Sequence, residues 1–254
     1  MSYTLNPAAQ RRLEKFVGNL AQVLRHAAQR ASFAMYAIGL LGEGERKSAE
    51  PIAARACGDQ VQDVDAVHQR LLHFIGPSKW SDLEVRLTAA RYALAAMTQR
   101  GPVNCAIIDD TGFLKQGTHS VGVKRQYTGS AGKVTNCQVG VCLTLATETD
   151  HVPVDMQLYL PDTWANNPDR RNEGQIPEEV QFQTKPQIAL KMLQRALAAD
   201  LPLGACWPTA AMETMRRFER ESEPWTRSMR WEFRPPPRST GSMPEIWSIR
   251  GPSR

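Results

Sequence analysis

Residues 105–127, CAIIDDTGFLKQGTHSVGVKRQY, decide how the rest of the chain is read. The apolar run Ala106-Ile107-Ile108 delivers two adjacent carboxylates, Asp109 and Asp110, and Thr111-Gly112, residue types that end strands, follow at once. This pattern predicts a buried strand over 103–109 with acid at its mouth. Lys115, His119, Lys124 and Arg125 come next, so a pair of acids able to attract a hard cation is flanked by groups suited to phosphate. That combination points to phosphodiester chemistry. A turn is the competing reading, because Asp side chains readily accept bonds from nearby backbone N–H groups.

Downstream of this stretch the chain reads as further strands over 120–127, 136–146 and 152–160, with a turn at 129–133 joining two of them antiparallel. A polar loop over 161–185 follows, containing Trp164, Asp169, Arg170 and Arg171, and then an amphipathic helix marked by Ile188, Leu190, Met192, Leu193 and Leu197. Strands followed by a helix that leads towards another strand predict an α/β core. Upstream, from Pro7 to about Arg100, the period is helical instead. Leu13, Phe16, Val17, Leu20, Val23 and Leu24 recur at spacings of three and four, and further helices are expected over 32–41, 45–57, 63–74 and 81–99. Ser81 and Glu84 have the spacing of a capping box. Phe33, Tyr36, Leu40, Leu41 and Trp80 are expected in the helical core; Arg46, Lys47 and Arg55 are where a DNA-contacting role in this block is better sought, with a solvated face as the favoured reading.

Composition narrows the class. No apolar run is long enough to cross a bilayer, and the N-terminal residues lack a signal-peptide core, so the expected compartment is the cytoplasm. The five cysteines, Cys57, Cys105, Cys137, Cys142 and Cys206, are odd in number and never in a CxxC arrangement, which argues against a disulfide framework or a zinc site. A net charge of +5 and a pI near 9.1 favour polyanion partners.

Taken together, IIDDTGFLKQGTHSVGVKRQYTGSAGKVTNCQVGV, VDMQLYLPDTWANNPDRR and FQTKPQIAL resemble the DDE-type insertion-sequence transposases, whose catalytic core is RNase-H-like. The upstream AMYAIGLLGEGERKSAEPIA resembles the helical block of the same group, and the agreement runs from about Phe33 to Gly204. The resemblance implies an N-terminal helical block over 1–100, with DNA binding as its expected role, then the first part of an RNase-H-like mixed sheet with helices over 101–204. It implies three carboxylates holding two Mg²⁺ or Mn²⁺ ions for attack on a DNA phosphate, DNA as partner at element ends and target, and homo-oligomers. On it, Asp110 is the first catalytic and metal-binding acid, with Asp109 as second choice, since successive strand residues point to opposite faces. Lys124, Arg125, Arg170 and Arg171 are the implied DNA contacts.

The second family acid belongs after the helix ending near Asp200, in a stretch reading roughly Leu-Ala-Asp-x-x-Tyr-Gly. Here residues 204–213 read GACWPTAAME, and the expected Tyr, Arg, Glu and Lys motif is missing as well. Codons read from the third base of each explain the departure. The Cys206/Trp207 step must encode Leu, Trp207/Pro208 Ala and Met212/Glu213 Gly, while Pro208/Thr209 permits Asp and Ala211/Met212 permits Tyr. The reading frame is therefore expected to leave the family's near Gly204. Residues 205–254, with Trp207, Trp225, Trp231, Trp247 and a Pro-rich run at 234–238, are expected to form a disordered or non-native tail, and the polypeptide a truncated and inactive product. Two other readings stand beside this one: a non-catalytic DNA-binding regulator competing with full-length enzyme, and an unrelated metal-dependent hydrolase using Asp109, Asp110, His119 and Asp155.

Overall fold

In the computed structural model the residues described are 6–42, 44–58, 63–208, 230–233 and 247–250, the main chain alone from 205 onward. Helix α1 (Pro7–Ala21) starts where Asn6 Oδ1 accepts from Ala8 N at 2.8 Å and proline occupies the first turn, a position that needs no N–H donor. It is followed by α2 (Ala27–Leu41), α3 (Ala49–Cys57), α4 (Val64–Ile75) and α5 (Asp82–Met97). Ser81 Oγ accepts from Glu84 N at 3.2 Å, which is the Ser81 half of the expected capping box. The chain divides into two compact units after Ala89, within α5.

In the first unit Val17, Leu20, Leu24, Phe33 and Phe74 form one buried cluster, and Trp80 stacks on Phe74 at 5.1 Å while its Nε1 donates to Phe74 O at 3.0 Å. Ala49, Ile52, Ala53, Val67 and Leu71 form another, with Tyr36 packed against it. A Cβ at Gly39 would run into Ile52, which is why α2 carries glycine where α3 crosses it. Leu40 and Leu41 depart from expectation: they are 42% and 65% exposed. Helix α2 is apolar on every face (ASFAMYAIGLL), and packing against its neighbours covers only part of it.

The second unit is built on β1 (Cys105–Leu114), which lies inside the sheet, antiparallel to β3 (Lys133–Ala146) on one side and parallel to β5 (Ala205–Pro208) on the other. Strand β3 also pairs antiparallel with β2 (Lys124–Thr128) and β4 (His151–Tyr159). Beyond β5 lie β7 (Trp247–Arg250) and β6 (Arg230–Phe233). The expected tail is thus described only as three four-residue strands added to the sheet; residues 209–229, 234–246 and 251–254 lie outside the described residues. Helix α8 (Lys185–Ala198) packs on β3 and β4, burying Ile188, Ala189, Met192, Leu193 and Ala196.

Three local expectations are corrected. Strand β1 does not stop at Asp109 but runs on through Thr111-Gly112 to Leu114. Gly112 serves close approach instead of a turn: a Cβ there would collide with the buried Thr128, and Ser130 Oγ donates to Gly112 O at 2.9 Å. Residues 120–123 form a turn, closed by Val123 N donating to Ser120 O at 3.0 Å, and β2 begins only at Lys124. The polar loop contains two short helices, α6 (Asp162–Ala165) and α7 (Pro168–Glu173), the second capped by Asn167, whose Oδ1 accepts from Arg170 N at 3.0 Å.

Candidate active site

Alternation along β1 separates the two acids. Ala106 and Ile108 are buried and Asp110 shares their face, opposite Val141 of β3, whereas Asp109 faces the other way and is exposed. The parallel register of β1 with β5 ends at Ile108 opposite Pro208, so Asp110 lies two residues past the last described pair. Asp109 Oδ1 accepts from Asp110 N at 2.8 Å.

The face of Asp110 is the one α8 covers, and α8 supplies its partner. Lys185 Nζ donates to Asp110 Oδ2 at 2.5 Å and lies 5.6 Å from the centre of the Tyr159 ring. Two residues along β3 from Val141, Leu143 pairs with Asp155 of β4, a carboxylate 6% exposed. Arg195, in the last turn of α8, holds it through Nε at 2.8 Å and Nη2 at 2.7 Å, and Nη2 also reaches Gln157 Oε1 at 3.4 Å. Two acids on one face of the sheet are therefore each matched by a cation from the same helix.

These residues do not fit a two-metal centre. Asp109 is on the wrong face, Asp155 is committed to a guanidinium, and among the described residues no three His, Cys, Asp or Glu side chains come together to hold an ion. His119 belongs elsewhere: its Nδ1 pairs with Glu173, whose carboxyl it holds below the ordinary range. Asp109, Asp110, His119 and Asp155 thus do not converge on one site.

The four basic residues are not gathered on one surface either. Lys124 and Arg125 are neighbours in β2 and point to opposite faces. Lys124 Nζ donates to Asp162 Oδ1 at 3.2 Å, a bond that keeps the Asp162 carboxyl below its usual value, while Arg125 is exposed. The Arg170 guanidinium lies 4.9 Å from the Trp164 ring centre and donates to Thr118 O at 2.9 Å. Arg171 donates to Val180 O at 2.9 Å, Pro177 O at 2.8 Å and Ala165 O at 3.1 Å, which ties the segment after α7 to α6. In the first unit Lys47 bonds Gly42 O and Arg55 bonds Gly39 O at 3.2 Å, so both brace the connection between α2 and α3.

Sequence reasoning missed Lys185 and Arg195. A signal for the first was present: Thr184-Lys-Pro-Gln187 is a capping box with proline in the first turn. Thr184 N donates to Gln187 Oε1 at 2.8 Å and Gln187 N to Thr184 Oγ1 at 3.4 Å, which fixes Lys185 as the first helical residue.

No helix among the described residues is long and apolar enough to cross a membrane. No solved structure matches the chain significantly. The chain is 29% identical over 158 residues to the "Probable transposase for insertion sequence element IS701" of Microchaete diplosiphon, an alignment covering 62% of this chain and 36% of that relative. The chain thus spans little more than a third of the relative's length. A family model described as DDE superfamily endonuclease matches residues 19–206, well over half of the sequence, and the chain belongs to that family.

Proposed function

We propose that this chain is an insertion-sequence transposase polypeptide that engages DNA without cutting it. The observation that carries the reading is the setting of Asp110. It stands on the inner strand of a mixed sheet, where the first family acid belongs, yet its charged partner is Lys185, and among the described residues no three His, Cys, Asp or Glu side chains gather to hold an ion there. Divalent ions that cut phosphodiesters need several carboxylates to compete with their hydration shells, and one acid does not suffice.

The missing second acid is explained by a reading frame that departs from the family's near Gly204. Two findings support this. The family match ends at residue 206. The register sets Pro208 beside Ile108, so an Asp encoded at the Pro208/Thr209 step would fall next to the part of β1 that carries Asp109 and Asp110.

Of the four basic candidates, Arg125 is the best placed for a phosphate, being exposed beside Tyr127 on the face away from α8; Lys124, Arg170 and Arg171 each hold protein groups. DNA association through such contacts is electrostatic and weakens as salt rises. Supercoiled plasmid incubated with the protein and Mg²⁺ or Mn²⁺ should stay intact, and DNA should shift on a gel in a salt-dependent manner. Nicking that disappears in Asp110→Asn would overturn the proposal. So would a gene sequence without an Asp codon in the frame one base back at Pro208/Thr209.

A further inference from the structure

Helix α8 is attached to the sheet at both ends by charge. Lys185 at its first position meets Asp110, and Arg195 in its last turn meets Asp155, with Ile188, Ala189, Met192, Leu193 and Ala196 buried in between. The capping box of Thr184 and Gln187 fixes Lys185 as the first helical residue, so it enters at a defined height above Tyr159 and Asp110.

We propose that Lys185 is the resident cation of Asp110. An ammonium group built into the fold takes the place on this carboxylate that a divalent ion would need, and the pair positions the start of α8 on β1. The role it displaces rests on reading Asp110 as the first family acid; the pairing stands on the geometry alone.

Three physical terms favour the ammonium. It is tethered to the helix, so its effective concentration at Asp110 is on the order of millimolar or higher without any free ligand. The Tyr159 ring beneath it adds a favourable electrostatic contact. A hydrated Mg²⁺ would have to shed water for one carboxylate oxygen while approaching a like charge, which a single carboxylate contact does not repay. Lys185 is therefore a positioning residue, and in this chain Asp110 serves the fold.

A double-mutant cycle on the full chain tests this. Urea unfolding of wild type, Asp110→Asn, Lys185→Met and the double variant is measured in EDTA and again in millimolar Mg²⁺. Both side chains are 35% exposed, so solvent screening limits the expected coupling to about three- to five-fold in the unfolding constant. It should be the same with and without Mg²⁺, and Lys185→Arg should retain most of it. Additive single variants would overturn the proposal. So would Mg²⁺ stabilising wild type but not Asp110→Asn, since the ion would then be displacing Lys185.

If Asp110→Asn does not fold, Lys185→Arg against Lys185→Met decides, and equal losses refute the pairing. DNA binding measured on the same samples separates the two ideas: its complete absence removes the proposal that the chain engages DNA and leaves the coupling untouched.

Discussion

Replacing Arg195 by Met should unfold the sheet unit far more easily than the loss of one surface charge would suggest. The Asp155 side chain is 6% exposed and Arg195 28%, and the guanidinium approaches one carboxylate oxygen through two nitrogens, at 2.8 and 2.7 Å. Removing one member of a buried pair leaves a charge without its counterion, which costs about 3–5 kcal/mol when water cannot reach it. Here water can enter along the exposed side of residue 195, which brings the cost below that range, to roughly 2–3 kcal/mol. Methionine keeps most of the aliphatic stem in place, so the loss is electrostatic and not a cavity. For a unit of this size that corresponds to a fall in Tm of roughly 4–10 °C.

Thermal and urea unfolding followed by near-UV circular dichroism would measure it. The double variant Asp155→Asn/Arg195→Met should recover much of the loss, since an amide in place of the acid carries no stranded charge. A single-variant cost below about 0.5 kcal/mol, the scale of an exposed pair, would refute the reasoning. So would a double variant no more stable than Arg195→Met.

Two further outcomes follow from the geometry. Gly112→Ala should cost about 1–3 kcal/mol, because the new methyl meets Thr128, which is 1% exposed and has little room to move; Gly129→Ala, whose Cβ meets open space, is the control in the same urea titration. Lys124→Met should raise the Asp162 carboxyl pKa in a ¹³C NMR titration, since hydrogen bonding and charge from Lys124 hold it down. The sign follows from that depression. The contribution of the pair is fully present above the carboxyl's unfolded pKa and is lost as pH falls through the folded one, so the variant should flatten the acid limb of the stability curve.

The errors of sequence reading have a common form. Thr111-Gly112 has the composition of a turn, and nothing local reveals that Thr128, sixteen residues later, will fold back against Gly112 and require a residue without a side chain. Helices α6 and α7 span four and six residues, too short for a hydrophobic period to show, although Asn167-Pro168 is a start signal in its own right. Leu40 and Leu41 looked like core because apolar residues usually are, yet α2 has more apolar surface than its neighbours cover. Lys124 and Arg125 read as one basic patch in a linear string and separate to opposite faces once β2 is pleated.

Periodicity and motif, properties of neighbouring residues, were sufficient to place the helical block, the β1–β3–β4 strands, helix α8 and the family of the chain. The resemblance to that family, and not periodicity, made Asp110 the residue to watch. What that carboxylate touches was decided only by tertiary structure. Lys185 lies 75 residues away in sequence, and it reaches Asp110 because α8 crosses the face of the sheet onto which alternation in β1 turns this acid. Ion pairs between distant segments depend on register and on helix placement together, and no local pattern of residues encodes both.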